Sequence, residues 1–135
     1  GFFHHSSANL FGGQDLYAAD GHQMGHTSSN IFGGHDTFDG HGLRTGHTAD
    51  NVFGGHDTFD AHGMRVGYTM PTAGGGEVAH DAHGHTLGTF QDAHHGVSFQ
   101  GIGGEAATFR ANLMGGYTAD PLNNMAHVQF PTMKW

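Results

Sequence analysis

The chain contains no cysteine, which excludes disulfides and thiolate zinc sites as sources of stability and leaves the redox compartment open. Basic residues are nearly as scarce, 4 against 12 acidic ones, and the single lysine is Lys134. Neutralising phosphates takes a basic stripe, so no nucleic-acid partner is expected. No run approaches the ~20 apolar residues of a membrane-spanning helix, so no membrane span is expected either. The apolar share, 36%, is below that of ordinary globular domains and argues against a large conventional core.

Glycine and histidine are abundant instead, at 25 and 15 residues. The glycines keep a register: Asn9, Asn30 and Asn51 open successive 21-residue blocks, each with Gly-Gly after an apolar pair. A worn fourth block stays in phase, since Gly54-Gly55 maps to Gly75-Gly76 and Asp60-Ala61-His62-Gly63 to Asp81-Ala82-His83-Gly84. Self-similarity at a fixed period marks one supersecondary unit copied along the chain, which must stack on neighbours to bury its apolar face.

Within a block, His56-Asp57-Thr58-Phe59-Asp60 and Met64-Arg65-Val66-Gly67-Tyr68-Thr69 are too short for helices and rich in β-formers. Asp60-Ala61-His62-Gly63 between them has the chemistry of a type I turn followed by a bulge. Each block is predicted to be one β-hairpin, with Met64, Val66 and Tyr68 on its apolar side and the glycine column Gly25, Gly46, Gly67 and Gly88 on the other. The fold class is all-β: tandem hairpins in an antiparallel meander, with a β-solenoid as the alternative. A solenoid would stack Asp15, Asp36 and Asp57 about 4.8 Å apart, whereas a meander spaces them about 9.6 Å apart, which favours the meander.

Three regions follow: an N-terminal arm (1–8), four tandem repeats (9–92), and a degenerate C-terminal β segment with an arm (93–135). In the last, Ala111-Asn112-Leu113-Met114-Gly115-Gly116 echoes Ala8-Asn9-Leu10-Phe11-Gly12-Gly13, as expected of a capping or subunit-joining unit.

Histidine is the strongest chemical signal. His80, His83 and His85, followed by His94 and His95, form a candidate transition-metal cluster, although their turn positions fit adventitious Zn, Cu or Ni affinity better than a dedicated cofactor site. Protonating every histidine adds one charge for each of 15 residues and moves the formal charge from −8 to +7. The segment Gly33-Gly34-His35-Asp36-Thr37-Phe38-Asp39-Gly40 is similar to the nonapeptide of calcium-binding β-rolls. Its third glycine is missing and the period is not a multiple of nine, so no calcium ligand is assigned. Gly101-Ile102-Gly103-Gly104-Glu105-Ala106 matches GxGxxA but has too little chain after it for a dinucleotide fold. No serine sits in a GxSxG elbow, and an active site copied four times is not expected, so the chain is not read as an enzyme.

The functional expectation is a structural protein, a subunit of an extracellular fibre or surface layer whose partner is itself. Open sheet edges are templates for association. The candidate assembly residues are Phe2 and Phe3, the loop aromatics Phe11, Phe32 and Phe53, and Val128 and Phe130 of the C-terminal arm. A chain opening on Gly1 rather than Met fits removal of a leader on export. The alternatives are a histidine-rich metal-binding module, or an ice- or glycan-binding surface built on the recurring threonines Thr37 and Thr58 and Thr27, Thr48 and Thr69.

Overall fold

The computed structural model describes residues 3–93 and 95–121. They form twelve strands: β1 (His5–Ala8), β2 (Gln14–Tyr17), β3 (Gln23–Ser29), β4 (His35–Asp39), β5 (Arg44–Asp50), β6 (His56–Asp60), β7 (Arg65–Pro71), β8 (Glu77–Asp81), β9 (Thr86–Ala93), β10 (Gly96–Gly101), β11 (Ala106–Ala111) and β12 (Tyr117–Pro121). Every strand pairs antiparallel with its sequence neighbours, which is the meander, and β1 also pairs with β12 to close the sheet into a barrel. The solenoid alternative is thereby set aside. No helix among the described residues is long and apolar enough to cross a membrane.

The block-internal turn forms as the sequence predicts. Gly42 and Gly63 donate to the carbonyls of Asp39 and Asp60 at 3.1 Å, and both glycines adopt the left-handed backbone (φ 82° and 81°) that a side chain would strain. The pairing register shifts at Leu16/Tyr17, Thr37/Phe38, Thr58/Phe59 and Ala79/His80, one bulge in each hairpin from β2/β3 to β8/β9. A bulge sharpens local twist, and repeating it at one phase bends a flat meander until its ends meet.

The faces run opposite to the sequence expectation. Met64 and Val66, on the predicted apolar side, are 67% and 37% exposed, while Thr27, Thr48 and Thr69 turn inward and are 5%, 8% and 3% exposed. The glycine column shares that inner face, and a Cβ on Gly25 or Gly46 would meet the carbonyl oxygen of Phe38 or Phe59 on the adjacent strand. The close approach is therefore made by the neighbouring strand of the same barrel. Apolar lining is concentrated in β8–β12, where Ala79, Phe90, Val97, Phe99, Ala107, Phe109 and Ala119 form one buried cluster with Phe3.

Asp15, Asp36 and Asp57 lie on β2, β4 and β6, with one strand between each, as the charge argument required. Arg44 Nη2 reaches Asp36 at 3.2 Å and Arg65 Nε lies 3.5 Å from Asp57, so the remaining repulsion is offset locally.

Candidate functional site: an apolar arc on one end of the barrel

In a meander the turns alternate between the two ends, so those after β1, β3, β5, β7, β9 and β11 share one end. Four of them start with an asparagine that organises its own turn. The Oδ1 atom of Asn30 accepts the N–H groups of Phe32 (2.9 Å) and Gly34 (3.1 Å), and its Nδ2 donates to the Thr48 carbonyl at 2.9 Å. Asn9 and Asn51 repeat this clamp, their Nδ2 atoms donating to Thr27 and Thr69 at 2.9 and 3.0 Å. Beneath each clamp a threonine hydroxyl accepts the first strand N–H of the next hairpin arm, from Gln14, His35 and His56, each at 2.9 Å.

The clamp leaves the apolar pair after each asparagine projecting outward. Leu10, Ile31 and Val52 are 100%, 93% and 94% exposed, and Phe11, Phe32 and Phe53 are 64%, 57% and 56% exposed. The phenylalanines lean back over the outer wall, with the Phe11 and Phe32 rings each 6.3 Å from the imidazoles of His26 and His47. The turn after β11 repeats the construction. Asn112 Oδ1 accepts Met114 and Gly116 N–H at 2.9 and 3.0 Å, and Leu113 and Met114 stand out at 105% and 63% exposure.

Because β12 lies beside β1, the four clamped turns are consecutive around the rim, in the order 112–116, 9–13, 30–34, 51–55. The arc carries eight side chains that are each more than half exposed, three of them phenylalanines with roughly 150–250 Å² of surface apiece. The rest of the rim carries the small residues Thr72-Ala73-Gly74-Gly75 and the turn containing His95. Sequence reading identified Phe11, Phe32 and Phe53 but missed their aliphatic neighbours and the 112–116 member. The echo of Ala8–Gly13 in Ala111–Gly116 was the available signal, but only closure shows that the two turns are neighbours.

The opposite end is acidic and imidazole-bearing, with single apolar side chains such as Leu43 and Met64 between the turns. The Asp39 carboxyl is held below its ordinary range chiefly by the N–H of Leu43, against an opposing desolvation that exceeds the further lowering by the His41 N–H. Asp20 is lowered by the His22 N–H and then by the His22 ring. At Asp81 desolvation pushes upward, but the N–H groups of His85 and His83 together outweigh it.

The described candidate metal residues are divided between β8, the turn after it and the turn after β9. His80 stacks on Tyr68 with ring centroids 4.8 Å apart, His85 Nδ1 lies 3.1 Å from Asp81, and the His83 and His85 rings are 6.2 Å apart. His95 sits past the far end of β9, on the opposite rim. No group of three or more potential ligands converges among the described residues. Of the candidate assembly residues, Phe3 is 2% exposed against Phe109, with ring centroids 6.0 Å apart, so the closed barrel's own core uses it. Phe2, His94, Val128 and Phe130 lie outside the described residues.

No protein-family model matches the sequence, and no curated protein and no solved structure is similar to it.

Proposed function

We propose that this chain is a non-catalytic structural subunit that assembles with copies of itself, at the cell surface or outside the cell, through the apolar arc on its rim. The arc is the observation that carries this reading. Exposed apolar side chains scattered singly are usual on a soluble monomer, whereas eight on consecutive turns of one rim mark an interaction surface. Sheet edges, the route expected from sequence, do not serve in the closed form, because β1 and β12 cover each other. Pairing arc to arc about a two-fold axis buries the same surface on both copies.

The turns suit such burial because Asn9, Asn30, Asn51 and Asn112 already occupy backbone N–H groups that would otherwise lose water on contact. Sedimentation velocity over a concentration series tests the proposal. The native chain should associate, and a variant carrying Leu10→Asp, Ile31→Asp and Leu113→Asp should remain monomeric with its unfolding midpoint unchanged. A native chain that stays monomeric at the highest attainable concentration would sink it.

A further inference from the structure

The seam that closes the barrel copies the joints inside it. At the internal β2/β3 joint Gln14 N–H donates to Thr27 Oγ1, Asn9 Nδ2 to the Thr27 carbonyl, and Ser29 N–H to the Phe11 carbonyl, at 2.9, 2.9 and 3.0 Å. At the β12/β1 seam Tyr117 N–H donates to Ser6 Oγ, Asn112 Nδ2 to the Ser6 carbonyl, and Ala8 N–H to the Met114 carbonyl, at 2.9, 2.9 and 3.0 Å. Ser6, Ser29 and Ala8 fall at the positions the 21-residue period assigns them, so β1 holds the second half of a repeat whose first half is β12. The internal joint is spanned by chain. The seam joins the first described strand, β1, to the last described one, β12, with the rest of the barrel between them in sequence.

From this we infer that the seam is an exchangeable interface: β1 of one copy can pair with β12 of another through the same bonds, joining barrels head to tail. The partner is a second copy of this chain, and the two halves of the site are Ser6 with Ala8, and Asn112 with Met114 and Tyr117. Closure within one chain and pairing between chains satisfy the same donors and acceptors, so they differ mainly in the entropy of bringing the strands together. Among the described residues the seam also has one register pair, His5↔Thr118, against five between β11 and β12. A head-to-tail contact is heterologous, so it yields rings or open chains where the arc yields pairs. The inference rests on the self-assembly reading but concerns a different surface.

The absence of cysteine makes the test direct. A His5→Cys, Thr118→Cys double variant, oxidised at high dilution, should lock as a disulfide-closed monomer; failure to do so would remove the seam itself. The two single variants are then mixed, unfolded, refolded together at high concentration and mildly oxidised. The mixed disulfide dimer should exceed either like-paired dimer severalfold, and should drop severalfold when Asn112→Ala is added to the Thr118→Cys chain. Mixed dimer no more abundant than that from a His62→Cys control, placed in a turn at the other end, overturns the inference. Trapping reports the seam, and the difference in sedimentation between the native chain and the three-aspartate variant reports the arc, so either can fail while the other stands.

Discussion

Two stretches of one barrel wall are lined by different chemistry on the same backbone. In β3, β5 and β7 the inner position is Thr27, Thr48 and Thr69, and one period later in β9 it is Phe90, 3% exposed with its ring 4.9 Å from Phe99. The threonine stretch is held by local hydrogen bonds that tie each hairpin to the next. The phenylalanine stretch is held by apolar burial, at roughly 1.5–3 kcal/mol for each large side chain taken from water. A hairpin repeat therefore does not need a hydrophobic inner face at every copy, provided that some copies supply one and the others satisfy their polar groups at the joints.

The comparison breaks most visibly at Phe109. It is fully buried on the phenylalanine side, and Phe109→Ala should cost about 3–5 kcal/mol through lost transfer energy and the cavity left behind. Chemical denaturation read by circular dichroism measures this. A loss under 1 kcal/mol would show that the cluster is not the core. Asn30→Ala comes next, at about 2–3 kcal/mol, because it strands the N–H groups of Phe32 and Gly34 and removes the donor to Thr48. Thr48→Val should cost about 1 kcal/mol, since it keeps the shape and removes only the acceptor for His35 N–H. If Thr48→Val proved as costly as Phe109→Ala, the two stretches would not differ in what holds them.

Much of this fold was legible in the sequence because the repeat fixes local structure. Asp60 and Gly63 announce a turn, the asparagine period announces the hairpin, and the like charges of Asp15, Asp36 and Asp57 exclude direct stacking. What was not legible was the direction each face takes. Alternation showed that Met64, Val66 and Tyr68 share a side, and hydrophobicity suggested that this side turns inward. Curvature decides otherwise: where adjacent strands crowd the inner face, glycine and threonine fit and larger side chains turn out. Closure was equally hidden, because Ser6 and Asn112 meet across almost the whole chain and no local pattern encodes that contact. Hence the loop phenylalanines were found one by one, and the arc they belong to was not.

The acidic end offers a smaller, pH-dependent test. Asp39 has its folded-state pKa lowered chiefly by the Leu43 N–H, so the stability it contributes is fully present above the unfolded value of about 3.9. That contribution is lost as pH falls through the lower folded value. Asp39→Asn should unfold slightly earlier than the native chain near neutral pH, with the two midpoints converging as pH falls below the lowered folded-state value. Thermal unfolding across that range checks this, and a constant offset at every pH would contradict the assigned cause.

The smallest expected effect has the opposite sign. His47 stacks on Phe59 at 4.6 Å with 13° between the planes, while Phe32 leans over it from the rim, and its Nδ1 is buried without a hydrogen-bond partner. A buried nitrogen with no partner costs desolvation that nothing returns, whereas an apolar ring of similar shape keeps the stacking. His47→Phe should therefore stabilise the chain by about 0.5–1 kcal/mol at neutral pH. If His47→Phe destabilises the barrel instead, the nitrogen has a partner in solution, and the outer wall, like the threonine stretch within, depends on polar contacts more than on ring packing.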